Sequence, residues 1–237
     1  MVMATGAQQG DDLAQANWTA VDRYIAGLLL PEDPILDAAL DASRAAELPL
    51  INVSPTQGKL LHLLARIQRA RRILELGTLG GYSTIWLARA LPADGRLITL
   101  EANPKHAEVA RENIVRSGLA NLVEVRLGSA LDSLKQMVAS GCAPFDFIFL
   151  DADKPGYPDY LTWTLKLSRL GTMIIADNVV RNAKVLDPSS DDPDVQGIRR
   201  FNELLAAERR LSATTIQTVG RKGYDGFALA MVVEVSA

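Results

Sequence analysis

Short runs of apolar residues alternate with segments of helical spacing through most of the 237-residue chain. Five of these runs predict strands: residues 73–76, 96–101, 122–127, 145–150 and 171–176. The run over residues 145–150 is apolar apart from Asp146, as expected for a strand covered on both faces. Two more strands, over residues 213–219 and 227–235, flank a glycine-containing turn and predict a hairpin. Together they predict an α/β fold, a doubly wound, Rossmann-like sheet of seven mostly parallel strands, with helices on both faces and an antiparallel strand at the carboxyl end.

The part of the chain before residue 71 is predicted to be mainly helical. Residues 1–16 are small and polar without a period, and they predict a disordered tail. Between residues 17 and 30 the apolar positions recur at helical spacing. Asp33 and Ser54 are residue types that commonly cap a helix, and each is followed by proline, which is favoured at the first helical position. Each pair therefore predicts the start of a helix. We therefore expect three helices ahead of the first strand.

Composition narrows the class of protein. The chain has a net charge of -3 and 48% hydrophobic residues, and it lacks the basic excess of a nucleic-acid-binding protein. The sequence has no signal peptide or apolar run of membrane length, and its single cysteine, Cys142, fits a reducing compartment, so a cytoplasmic protein is predicted. We expect one domain over residues 17–237, in which a helical cap (17–70) covers one end of an α/β core (71–237).

A glycine-rich turn follows the first strand of the core. Residues 73–88 have the pattern of a strand, a loop and a helix, with Gly77 and Gly81 where the backbone must turn tightly or let a ligand approach. Such a unit makes a site for a nucleotide-like ligand. Leu79 stands where the dinucleotide fingerprint has its second glycine, and the acidic Glu75 suits a cationic ligand better than a phosphate.

Polar residues also end the other predicted strands, where doubly wound sheets bind ligands. Glu101 ends the second strand, and its two oxygens could accept both hydroxyls of a ribose, that of NAD included. Asp151 follows the fourth strand, and Asp177 and Asn178 follow the fifth. Because neighbouring strands lie ~5 Å apart, these three oxygen ligands could converge on a hard cation such as Mg²⁺. The alternative, that they cap helices, explains one of them better than all three.

Two further features lie next to this predicted metal site. Lys154, three residues after Asp151, could act as a general base beside a bound cation, or it could be a surface lysine that balances the two aspartates. The loop over residues 179–193 has no core pattern and contains Arg181 and Lys184. We predict that it is a lid, an acceptor-binding segment or a dimer contact.

These blocks together resemble the cation-dependent, class I S-adenosylmethionine (SAM) O-methyltransferases, the family that includes catechol and caffeoyl-CoA O-methyltransferases. The blocks that carry the resemblance are Glu75 to Ser83, Glu101, Gly128-Ser129-Ala130, Phe149 to Lys154 and Asp177-Asn178. They occur in order, one block for each strand end, and the resemblance covers roughly residues 50–235.

The resemblance implies an enzyme that transfers a methyl group from SAM to a hydroxyl of a small vicinal dihydroxy aromatic, with the help of a divalent cation. It implies that Lys154 is the catalytic base and that Asp151, which also acts in catalysis, faces the SAM amino group. Asp151, Asp177 and Asn178 would hold Mg²⁺, or another divalent cation such as Mn²⁺ or Ca²⁺. The residues implied to bind SAM are Val53, Glu75, Gly77, Thr78, Ser83, Glu101, Ala130 and Asp151.

One departure concerns the acceptor. Catechol O-methyltransferase holds the second hydroxyl with a carboxylate from its C-terminal region, whereas residues 217–224 of this chain contain no acidic residue. Two alternatives stay open, an NAD-dependent oxidoreductase and a SAM-binding protein without activity. Leu79 argues against the first, and the full ligand set together with Lys154 argues against the second. The expected partners are the small-molecule acceptor and a second copy of the chain in a homodimer, with no nucleic acid and no membrane.

Overall fold

Seven strands form one sheet in the computed structural model, which describes residues 6–234. In chain order they are β1 Arg72–Leu76, β2 Arg96–Glu101, β3 Val123–Leu127, β4 Phe145–Leu150, β5 Ser168–Asp177, β6 Leu211–Gly220 and β7 Gly223–Val232. Across the sheet their order is β3-β2-β1-β4-β5-β7-β6. The pairs from β3 to β5 are parallel, and β7 runs antiparallel to both of its neighbours. The predicted fold class is therefore confirmed.

Eight α-helices connect and cover these strands within residues 6–234. They are α1 Gly6–Leu29, α2 Pro34–Ala45, α3 Pro55–Ile67, α4 Tyr82–Ala88, α5 Pro104–Arg116, α6 Ala130–Ala139, α7 Tyr157–Leu165 and α8 Pro193–Ala207. Four of them begin with proline after a residue whose side chain caps the helix. In this part of the chain, no helix combines the length and the hydrophobicity that a membrane span needs.

The central strands β1, β2 and β4 are buried on both faces, whereas β6 is mostly exposed. Leu74 and Leu76 of β1 join a core formed with α6, α7 and α8, whereas Ile73 joins a second core formed with α2, α3 and α4. Every residue of β4 is buried. Because both faces are packed, the strands fix the positions of the residues that follow their carboxyl ends.

The prediction of a disordered tail over residues 1–16 is wrong for residues 6–16, because α1 begins at Gly6. Residues 1–5 lie outside the described part of the chain. Alanine and glutamine, which favour helices, make up much of this segment, so it can be helical without an apolar stripe. Its anchor is polar, since the Gln15 side chain donates to the Gly220 carbonyl at 3.0 Å.

Candidate active site

A cavity of about 790 Å³ opens at the carboxyl ends of the central strands. Its walls are the residues that follow these strands and the segment 49–53 between α2 and α3. Nine of the residues predicted from the sequence line it: Val53, Gly77, Thr78, Ser83, Glu101, Ala130, Asp151, Lys154 and Asn178. The other two predicted residues, Glu75 and Asp177, are buried and do not line it.

The glycine loop after β1 passes so close to β4 that Gly77 must be glycine. Its φ is +92°, and a Cβ atom there would lie 1.9 Å from the Asp151 carbonyl oxygen. Gly81, with φ +81°, then opens α4. The loop therefore passes next to the backbone of Asp151, which brings the predicted SAM loop and the predicted metal site together.

The Glu101 side chain forms hydrogen bonds to the backbone of the glycine loop. Its carboxylate accepts hydrogen bonds from the backbone N–H groups of Thr78 at 3.1 Å and Leu79 at 2.8 Å, and from that of Asn103 at 2.9 Å. The His106 ring nitrogen lies 3.5 Å from it and also lines the cavity. This position of His106 could not be predicted, since a histidine on a helix carries no local signal of such a contact.

Glu75 lies beneath the loop and not at the cavity surface. Its fully buried carboxylate accepts hydrogen bonds from the hydroxyls of Ser83, at 2.6 Å, and Thr84, at 2.5 Å. Burial raises the pKa of Glu75 to about 7, even though these hydroxyls act in the opposite direction. Ser83 does line the cavity, so Glu75 reaches a ligand there only through this hydroxyl.

Asp177 is the last residue of β5 and Asn178 follows it, beside the end of β4. Burial, and after it the negative charge of Asp151, raise the pKa of Asp177 to about 7. The Gln57 side chain lowers the pKa of Asp177, in the direction opposite to burial, and the sequence does not signal that the two residues are neighbours. Asn178 has a left-handed φ of 58° and lines the cavity, whereas Asp177 faces a smaller neighbouring cavity.

The donor set at this point fits a hard divalent cation. Asp151 and Asp177 lie close enough to repel each other, and Asn178 adds an amide oxygen at the same edge of the sheet. Such oxygen donors suit Mg²⁺ and not zinc.

Lys154 is buried and held by two side chains at the rim of the cavity. Its Nζ lies 3.3 Å from Asp151 Oδ1 and 2.7 Å from the hydroxyl of Tyr157. Tyr157 is fully buried, and its hydroxyl also lies 2.9 Å from the Leu150 carbonyl and 3.0 Å from the Asp177 carbonyl. Burial holds the pKa of this phenol well above its usual value, so the hydroxyl keeps its proton and donates it to these carbonyls. The phenol oxygen of Tyr157 therefore accepts a hydrogen bond from Lys154 Nζ.

The loop over residues 179–193 is fixed at its beginning. Asp225 accepts hydrogen bonds from the backbone N–H groups of Val180 and Arg181, and the Arg181 guanidinium pairs with Asp194 at 2.8 Å. Arg181 lines the cavity, whereas Lys184 lines neither cavity. The role of the loop as a lid, acceptor segment or dimer contact stays a prediction.

The turn between β6 and β7, residues 220–223, contacts α1 and the segment 49–53. Lys222 Nζ donates to the carbonyls of Ile51, at 2.8 Å, and Asn52, at 2.6 Å. On the other side of the turn, Asp22 of α1 accepts from the Arg221 N–H at 2.8 Å. The sequence gives no sign of these contacts, which join residues about 170 to 200 positions apart.

Comparisons with known proteins agree with this geometry. A family model described as O-methyltransferase matches residues 30–231. A catechol O-methyltransferase of Niastella koreensis is 58% identical over 213 residues, which make up 90% of this chain and 96% of the relative. An O-methyltransferase of Bacillus cereus, solved in complex with SAH, superposes with a TM-score of 0.91 at 60% identity, covering 92% of this chain and 99% of that chain. For TomG, an O-methyltransferase of Streptomyces achromogenes solved with SAM, the TM-score is 0.90 at 54% identity, over 93% and 99% of the two chains.

Proposed function

Since the chain belongs to the O-methyltransferase family, we propose that it transfers a methyl group from SAM to one hydroxyl of a small vicinal dihydroxy aromatic, with the help of a divalent cation. One observation carries this proposal. Asp151, Lys154 and Asn178 line the same cavity as the glycine loop, so the groups expected to ionise the acceptor lie beside those expected to bind the methyl donor.

The proposed position of SAM follows the chemistry of the cavity walls. The methionine part lies against Gly77, Thr78 and Ser83, with its amino group toward Asp151. The ribose lies at Glu101, whose Oε1 keeps one acceptor site beyond the three hydrogen bonds from backbone N–H groups. The remaining predicted contacts are the adenine with Ala130 and the cover formed by Val53. Glu75 contributes through the Ser83 hydroxyl, since its carboxylate is buried.

The same residues supply the steps of the reaction. A cation held by Asp151, Asp177 and Asn178 would position both oxygens of the acceptor and lower the pKa of its hydroxyl. Lys154 Nζ takes the proton of that hydroxyl, and the oxygen then forms a bond to the SAM methyl carbon as the bond from that carbon to sulfur breaks. The sulfonium becomes a neutral thioether, and most of the rate gain comes from position and charge placement.

A methyl-transfer assay tests this function. We expect the protein to methylate members of a catechol panel in the presence of SAM and Mg²⁺, to lose this activity with EDTA, and to regain it when Mg²⁺ is restored. Absence of SAM binding would refute the proposal. Binding of SAM without transfer to any diol would favour the alternative of an inactive SAM-binding protein, and transfer that EDTA leaves unchanged would refute the metal requirement.

We also propose a homodimer, on the basis of an apolar face on α1. Val21, Tyr24 and Leu28 lie on one side of this helix and are 55%, 68% and 66% exposed. Exposed apolar surface of this kind commonly marks an interface. Light scattering after size exclusion should give twice the 25.6 kDa of the chain, and Tyr24→Ser with Leu28→Ser should give a monomer. Leu170→Ser, at an exposed site elsewhere, is the control, and a wild-type monomer would contradict the proposal.

The cytoplasmic location of the protein stays a prediction.

A further inference from the structure

A second cavity, of about 260 Å³, adjoins the predicted metal site. Asp177 and Asn178 line it, and so does the turn over residues 220–223. Leu60 and Phe227 supply apolar surface in its walls. Asn178 lines both cavities, so a molecule here would lie next to the metal site. The volume suits one substituted aromatic ring.

Lys222 brings a positive charge into this cavity, and the partners of that charge are neutral. Its Nζ donates to the carbonyls of Ile51 and Asn52, which accounts for two of the three N–H bonds of an ammonium group. Within residues 6–234, no carboxylate lies within 4.0 Å of it. One donor and one unit of positive charge are therefore left for a ligand.

The acidic residues around this cavity are engaged elsewhere. Asp225 accepts hydrogen bonds from three backbone N–H groups, those of residues 180, 181 and 226. Asp22 accepts from the N–H of Arg221, whose side chain also lines the cavity. The charge of Lys222 is attracted toward Asp151 and Asp177, the two carboxylates that the proposed cation would neutralise. With that cation bound, these two carboxylates no longer balance the charge of Lys222.

We propose that Lys222 recognises an anionic substituent on the methyl acceptor, so that the preferred substrates are vicinal dihydroxy aromatics that carry a carboxylate. This inference rests on the proposed function. The diol end of such a molecule lies at Asp177 and Asn178, its ring lies between Leu60 and Phe227, and its carboxylate accepts the free N–H of Lys222. In catechol O-methyltransferase a carboxylate from the C-terminal region holds the second hydroxyl of the acceptor. In this chain Lys222, from the C-terminal region, would bind a negatively charged substituent of the acceptor instead.

The test compares three acceptors that differ in charge: 3,4-dihydroxybenzoate, catechol and dopamine. We expect kcat/KM of the wild type to be highest for the benzoate and lowest for dopamine. Lys222→Met should lower the value for the benzoate about ten- to hundredfold, as expected for the loss of a hydrogen bond to a charged group, and change that for catechol less than threefold. Lys222→Arg, which keeps the charge, should restore most of the loss. Lys135→Met removes the charge of an exposed lysine on α6 and should alter none of the values.

Binding measurements separate this inference from the proposed function. Calorimetry with SAH and Mg²⁺ present reports the affinity for each acceptor without turnover. A preference for the benzoate that Lys222→Met abolishes supports the inference even where no methyl transfer occurs, and in that case only the proposed function fails. An equal loss for all three acceptors would mean that Lys222 only holds the segment 49–53, and would overturn the inference. So would a wild type that binds none of the acceptors or does not favour the benzoate.

Discussion

The two sides of the site are held in different ways. On the strand side, formed by the ends of β1, β4 and β5 with Lys154 and Tyr157, buried hydrogen bonds and a packed sheet fix every group. On the cap side, formed by α1, the segment 49–53 and the turn 220–223, the contacts are polar and partly exposed. We infer that the strand side carries the chemistry, which tolerates little displacement, and that the cap side carries the choice of acceptor.

The strand side should therefore give the largest effect. Asp151→Ala removes a proposed metal ligand and the partner of Lys154, and we expect methyl transfer to fall by about a thousandfold or more. Thermal melting should show that the variant stays folded, since Asp151 is only partly buried. The matched control is Asp159→Ala, which removes an exposed carboxylate from the first turn of α7. Near wild-type rates for Asp151→Ala would refute its assignment.

A second test asks whether the buried network positions the base. Tyr157→Phe removes the hydroxyl that joins Lys154 to the carbonyls of Leu150 and Asp177. We expect kcat for catechol to fall about ten- to hundredfold, while the affinity for SAH stays within about threefold. For 4-nitrocatechol, which is largely ionised at neutral pH and needs less help from a base, the loss should shrink to a few-fold.

An equal loss for both acceptors would mean that Tyr157 only supports the fold. Tyr224→Phe is the matched control, because its hydroxyl bonds to Gln217 and it lines neither the cofactor cavity nor the acceptor cavity. Its kinetic constants should equal those of the wild type.

Much of the strand side could be predicted from the sequence, because its signals are local. Apolar runs predicted where the strands end, and Asp151 and Asn178, which follow two of those strands, line one cavity. The burial of Glu75 was not predictable in the same way, since it depends on how the side chains of Ser83 and Thr84 turn under the loop. Nothing near Tyr157 in the sequence reveals its bond to Lys154.

The cap side could be predicted much less well. Its helices were expected from proline and capping residues, but the start of α1 was not, because that segment is anchored by polar contacts to the turn between β6 and β7. The contact of Lys222 with Ile51 joins residues 171 positions apart. Contacts of this kind depend on how the elements pack, which a single sequence pattern does not reveal.

The buried carboxylate under the glycine loop gives an effect on stability and not on rate. The folded-state pKa of Glu75 is raised to about 7 from 4.5, so its contribution is fully present below about pH 4.5 and is lost as the pH rises through 7. We expect Glu75→Gln, which cannot ionise, to gain about 2–3 kcal/mol relative to wild type between pH 5 and pH 8. Urea denaturation at the two pH values measures this difference. A difference that does not change with pH would mean that Glu75 stays ionised in the folded protein.

The hydrogen bond that ties α1 to the turn 220–223 should give the smallest effect, and one confined to the acceptor. Gln15→Ala removes the hydrogen bond that ties α1 to the Gly220 carbonyl, and we expect a loss of about 1 kcal/mol or less in the free energy of unfolding. KM for the acceptor should rise about two- to threefold because the turn that carries Lys222 is held less firmly, while kcat and SAH affinity stay unchanged. Gln136→Ala, at an exposed position on α6, serves as the control. A fall in kcat with unchanged KM would contradict the inference that the strand side carries the chemistry and the cap side the choice of acceptor. It would show that a contact of the cap side affects the chemical step.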